Sequence, residues 1–140
     1  MLPADQPLTG LDVLVVEDDP DSLDVLQQAL EFFGARVRGA GTVEEARRRI
    51  QASPPSVLVT DIDLGRETGA DLLRWVRAQP HARTNQVPVI AITGHREYFE
   101  DREGAGFADW LLKPLRVEAL CAALLRAVSV SDGHRDRRRA

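Results

Sequence analysis

With 140 residues, 44% of them hydrophobic and 29% charged, the chain has the size and makeup of one globular domain, able to bury roughly 70% of the surface its unfolded form exposes. A formal net charge of -4 and a pI near 5.4 exclude a general nucleic-acid binder. The lone Cys121 excludes an internal disulfide, no stretch approaches the roughly 18 consecutive apolar residues of a membrane span, and Met1-Leu2-Pro3-Ala4-Asp5 lacks the basic-then-apolar order of a signal peptide, so a cytoplasmic protein is expected.

Residues 1–9 are polar and punctuated by proline, and read as a flexible lead before a domain spanning 10–130. Leu11-Asp12-Val13-Leu14-Val15-Val16 is a buried strand that runs into Glu17-Asp18-Asp19. Asp19-Pro20 has the form of an N-cap with proline at the first helical position, and Leu23, Leu26, Leu30 and Phe33 recur at helical spacing until Gly34. Ala35–Ala40 alternates as a half-exposed edge strand, and Thr42-Val43-Glu44-Glu45 is a capping box opening a helix that Pro54-Pro55 ends.

The central stretch is Val57-Leu58-Val59-Thr60-Asp61-Ile62-Asp63, an apolar and β-branched run that ends on a carboxylate. A Gly65–Gly69 turn then leads to a helix with Leu72, Leu73 and Val76 inward. Val87–Thr93 is a fourth strand, closing on Thr93-Gly94; residues 96–103 make about two turns of helix, stopped by Gly104 and Gly106. Asp109-Trp110-Leu111-Leu112 is a fifth strand, ending at Lys113-Pro114. Val117, Leu120, Cys121, Leu124 and Val128 mark a last amphipathic helix before a polar, Arg-rich tail over 131–140, read as a solvated end. Cys121, on the apolar face of that helix, reads as a core residue.

Five strand–helix units in strict alternation predict an α/β fold, a parallel sheet with helices on both faces. All strand ends then share one edge. Glu17, Asp18, Asp61, Thr93 and Lys113 would meet there, three carboxylates, a hydroxyl and an ammonium, and Lys113 is the only lysine among 18 basic residues. Clustered carboxylates repel unless a cation offsets them, and an all-oxygen site suits hydrated Mg2+. Asp61 can act as a carboxylate nucleophile towards a phosphoryl group, Thr93 can donate to a phosphoryl oxygen, Lys113 supplies a compact positive charge, and Gly94 leaves room for the group to enter.

These residues, over about Asp12 to Val128, resemble the receiver domain of two-component response regulators. The resemblance implies the flavodoxin-like (CheY-like) doubly wound sheet of order 2-1-3-4-5, an order that comes with the family and not from the residues. It implies Asp61 as phosphoacceptor, with Thr93 and Lys113 assisting. Asp18 becomes a direct Mg2+ ligand, Glu17 acts through water, and the backbone carbonyl of Asp63 is a further ligand. Trp110 takes the place of a switching aromatic, and Lys113-Pro114 should be cis. A sensor histidine kinase or histidine phosphotransfer protein would be the donor and a downstream protein the target, without nucleic acid or membrane; homodimerisation is left open. The domain would be a signalling module that catalyses at most its own phosphorylation and dephosphorylation, an adaptor without its own output domain.

Departures accompany the match. Gly65 and Thr68 replace the usual proline and aspartate of the turn after Asp61, implying a more flexible turn. The Thr93–Lys113 segment is about two residues short for the family, which leaves its fourth helix and signalling face open. Two other readings compete. Asp61-Ile62-Asp63 is a D-x-D as in haloacid-dehalogenase-like phosphatases, although their motif order along the chain is the reverse. The second is a receiver-shaped interaction module that no longer takes phosphate.

Overall fold

The computed structural model describes residues 6–100 and 106–139, with the side chains of Glu100 and 130–139 left undescribed. Its elements in order are β1 (Asp12–Val16), α1 (Pro20–Phe32), β2 (Arg36–Ala40), α2 (Val43–Ala52), β3 (Val57–Asp61), β4 (Asp63–Leu64), β5 (Glu67–Thr68), α3 (Gly69–Arg77), α4 (Ala82–Asn85), β6 (Val89–Thr93), α5 (Arg96–Glu100), β7 (Asp109–Leu112) and α6 (Val117–Arg139). Five strands form one parallel sheet in the order β2-β1-β3-β6-β7, which is the expected 2-1-3-4-5 arrangement once the β4–β5 hairpin is set aside.

Alternation along the strands divides the core in two. Val13, Val15, Val57, Val59, Ile90 and Ile92 face α1 and α6, while Leu14, Val16, Leu58 and Val89 face α2 and α3. Every residue of β3 and β6 is buried, as strands covered on both faces must be. The helix starts follow local chemistry. Asp19 accepts from the Ser22 N–H ahead of Pro20, and Thr42 accepts from the Glu45 N–H. The second half of the expected capping box at Thr42 is displaced by one residue, since Glu45 accepts from the Gly41 N–H. A full reciprocal capping box joins Thr68 and Asp71 at the start of α3, where the sequence reading saw only a turn.

Three further expectations need correction. Residues 1–5 of the expected lead lie outside the described residues, but residues 6–9 are tied down: Leu8 is fully buried in the α1/α6 half of the core and its N–H donates to the Phe33 carbonyl at 2.9 Å. A lone leucine among polar residues carries no periodic signal, which is why it read as lead. The tail is likewise continuous with α6, whose backbone stays helical to Arg139; arginine is a good helix former and no proline interrupts it. The turn after Asp61 is the β4–β5 hairpin, with Gly65 at φ +85 in the first of its two turn positions, where a glycine is favoured. Of the expected helix at 96–103, residues 96–100 are helical and 101–103 lie outside the described residues. Leu8→Ala is expected to cost about 2–5 kcal/mol, as buried leucine truncations do, read as a lowered urea midpoint at unchanged slope; a free lead would leave the midpoint unmoved.

Candidate functional site

Because the strands are parallel, their carboxyl ends open on one rim, and chain register sets what stands there. Asp61, the last residue of β3, pairs in register with Ile92, which places Thr93 one step beyond it on β6. Glu17 follows β1 and is anchored by its N–H to the Ala40 carbonyl at 3.0 Å. Lys113 follows β7, with its N–H on the Thr93 carbonyl at 2.7 Å, and the Lys113-Pro114 bond is cis.

The side chains converge. Lys113 Nζ donates to Asp61 Oδ2 at 2.7 Å and to Glu17 Oε2 at 3.1 Å. The other Asp61 oxygen, Oδ1, accepts from the Asp63 N–H at 3.0 Å. Glu17, Asp18 and Asp61 can bring one oxygen each within 4.8 Å of one another; Glu17 and Asp61 are buried and Asp18 is exposed. Asp19, next in the run, turns away to cap α1. The Thr93 hydroxyl is fully buried and accepts from the His95 N–H at 3.0 Å. A Cβ added to Gly94 would meet only Lys113 Cδ, at 4.0 Å, so the space expected there is present.

Burial, reinforced by the hydrogen bond and negative charge of Asp61 and opposed by Lys113, pushes the Glu17 carboxyl up to about 7. Burial would raise Asp61 as well, but hydrogen bonds from Lys113 and Glu17 and the Asp63 N–H outweigh it and hold Asp61 below the usual carboxylate range. Burial works against the Lys113 ammonium, yet Asp61 and Glu17 together raise its pKa. One ammonium therefore keeps Asp61 anionic and leaves Glu17 near neutral. Three oxygen donors with a single cation between them fit a hard, oxygen-seeking ion such as Mg2+.

Trp110 lies on β7 opposite Ala91, edge-on to Phe107 with ring centroids 5.0 Å apart. Its indole N–H is buried and has no acceptor among the described residues. It lines a cavity of about 280 Å³ with Ile62, Asp63, Thr68, Tyr98 and Phe107, on the flank of Asp61.

Several contributors escaped the sequence reading. A Cβ on Gly69 would lie 2.6 Å from the Asp61 carbonyl oxygen, so only glycine lets α3 start this close to the strand end. The Thr60 hydroxyl donates to that same carbonyl at 2.9 Å. His95 sets its Nε2 3.3 Å from Asp63 Oδ2 and its Nδ1 3.5 Å from Glu97, across the rim. Only Gly69 left a signal, as a glycine directly before an apolar helical run.

The sequence profile of the family described as response regulator receiver domain matches residues 13–125. An uncharacterised 14.6 kDa protein of Leptolyngbya boryana is 39% identical over 79% of this chain and 84% of its own. The C4-dicarboxylate transport transcriptional regulatory protein DctD of Pseudomonas aeruginosa is 34% identical over 84% of the chain, and the signal transduction histidine-protein kinase BarA of Shigella flexneri 30% identical over 87%; the match spans only 25% and 13% of those two proteins. Among solved structures, a CheY-like response regulator receiver domain protein of Methanospirillum hungatei superposes with a TM-score of 0.78 at 25% identity, over 89% of this chain and 98% of that one.

The site carries a pH signature whose sign is fixed. Glu17 holds its proton more tightly folded than unfolded, so without divalent cations its contribution to stability is full below about 4.5 and is lost as pH rises through about 7. Asp61 titrates below that window and Lys113 above it. In chelator, the urea midpoint should fall between pH 5 and pH 7.5, and Glu17→Gln should flatten that fall; an equal fall in both proteins would remove Glu17 as its source.

Proposed function

The chain belongs to the response regulator receiver domain family, and from that premise we propose that Asp61 is the residue it phosphorylates, accepting a phosphoryl group from a sensor histidine kinase or a histidine phosphotransfer protein. The observation that carries this reading is the Lys113 ammonium held 2.7 Å from an ionised, buried Asp61 beside Glu17 and Asp18. As a two-component receiver the domain is a signalling module, and family membership displaces the phosphatase reading of the Asp61-Ile62-Asp63 motif. Among the described residues no helix is long and apolar enough to cross a membrane, and the proposed setting is the cytoplasm.

In the proposed reaction the P–N bond of a phosphohistidine protonated on its other ring nitrogen breaks as an Asp61 carboxylate oxygen bonds to phosphorus, leaving an acyl phosphate and a neutral imidazole that keeps that proton. Attack by water would later return the carboxylate and inorganic phosphate. Asp18, Asp61 and the Asp63 carbonyl would hold Mg2+, with Glu17 reaching it through water. The ion supplies positive charge to the phosphoryl oxygens. Lys113 orients the Asp61 carboxylate before transfer and offers its charge to the phosphoryl group after it. The Thr93 hydroxyl would leave the His95 N–H to donate to a phosphoryl oxygen, and Trp110 would follow it as the switching aromatic. A groove of about 690 Å³ between α1 and the Lys113-Pro114 turn, lined by Asp21, Ser22, Val25, Leu26 and Pro114, supports approach of a protein donor from that side. A downstream protein would read the switched face.

Asp61→Asn keeps the shape and removes the anionic nucleophile. With acetyl phosphate and Mg2+, the wild type should gain one phosphate that hydroxylamine releases, as it does from an acyl phosphate, and the variant none; incorporation by the variant at the wild-type rate overturns the assignment. Asp18→Ala should abolish Mg2+ affinity, followed by tryptophan fluorescence, while Asp19→Ala should leave it nearly intact because Asp19 is the cap of α1. Equal losses would shift the ligand assignment along the acidic run.

A further inference from the structure

The backbone of Asp63 serves the site directly, since its N–H fixes Asp61 Oδ1 at 3.0 Å. That backbone belongs to the β4–β5 hairpin, whose ladder has only two register pairs, Asp63 with Thr68 and Leu64 with Glu67. A ladder so short does not hold its own position in water. Leu64 is buried under it and Thr68 caps α3, which fixes two corners. His95 Nε2, 3.3 Å from Asp63 Oδ2, holds a side chain of the hairpin, and a further tether comes from another helix. Arg47 of α2 grips Glu67 with both terminal nitrogens, Nη2 at 2.6 Å from Oε2 and Nη1 at 3.4 Å from Oε1. Its guanidinium carbon also lies 5.9 Å from the Trp75 ring centroid of α3. Arg47 Nε is buried with no acceptor among the described residues, so the hydrogen bonds of this guanidinium run from its two terminal nitrogens to Glu67.

We propose that Arg47 is a positioning residue for the phosphoacceptor: through Glu67 it pins the β4–β5 hairpin and so holds the Asp63 backbone against Asp61. The proposal rests on the reading of Asp61 given above. Partly exposed ion pairs contribute little to global stability. Losing this one therefore moves the hairpin while the fold persists. A small displacement at a reacting carboxylate is costly, on the order of a hundredfold in rate for about 1 Å.

The test uses the full chain and compares Arg47→Ala, Glu67→Gln and the exchanged pair Arg47→Glu with Glu67→Arg, with Asp61→Asn as reference. Amide exchange at Asp63 should accelerate about two- to fivefold in the single variants while the Val57–Thr60 amides stay at wild-type protection. Phosphorylation by acetyl phosphate should slow roughly ten- to a hundredfold at saturating donor, with the half-saturating donor concentration unchanged. The exchanged pair should recover part of both readouts. Should Arg47→Ala fail to fold, Glu67→Gln carries the comparison alone. Wild-type exchange at Asp63 in Glu67→Gln, a uniform rise across β3, or no recovery in the exchanged pair each overturns the proposal. Phosphorylation of Asp61→Asn would instead sink the phosphoacceptor reading, and the exchange measurements would still decide whether the clamp holds Asp63.

Discussion

The Lys113 ammonium between Glu17 and Asp61 is the contact on which the site depends. Taking carboxylates out of water is costly unless charge and hydrogen bonds are returned to them. Asp61 recovers them from Lys113, Glu17 and the Asp63 N–H and stays ionised; Glu17, sharing the same ammonium, does not fully recover. The resulting imbalance suits a divalent cation. A site neutralised by its own side chains would have no use for a divalent cation, and one with no lysine would carry a buried Asp61 with little reason to ionise. The compactness of the ammonium matters, because it reaches two carboxylates from a single point, whereas a planar guanidinium spreads its donors into a fork.

That contact exists because of the sheet. Lys113 is 52 residues from Asp61 and 96 from Glu17 along the chain, and no local structure could bring them together. Parallel strands in the order β2-β1-β3-β6-β7 place the ends of β1, β3 and β6 side by side with β7 next in line. The same buried alternation that fills the two halves of the core holds those ends in register, so packing far below the rim fixes angles at it.

The strands, their acidic and hydroxyl endings and the caps at Asp19 and Thr42 were legible because each is a short-range signal: periodicity, a proline at the first helical turn, a polar residue after an apolar run. What was not legible depends on contacts between distant segments. Leu8 is core only because the Phe33 carbonyl waits for its N–H. Arg47 is one of three consecutive arginines, and nothing in that run marks the one that faces Glu67 from those that pair with Glu44 and Glu45. The hairpin was read as a looser turn because Gly65 was judged by the freedom it grants an unfolded chain, whereas here that freedom is used to close a tight turn.

The resting structure also gives the proposed switch a direction. Thr93 is satisfied, its hydroxyl buried and bound to the His95 N–H. Trp110 is not: its indole N–H is buried with no acceptor among the described residues, a state that costs about 1–3 kcal/mol. A phosphoryl group on Asp61 would offer Thr93 a stronger, charged acceptor, and in the proposed switch Trp110 follows the threonine. A rearrangement in that switch that gave the indole an acceptor would recover that cost, so the two movements would favour each other.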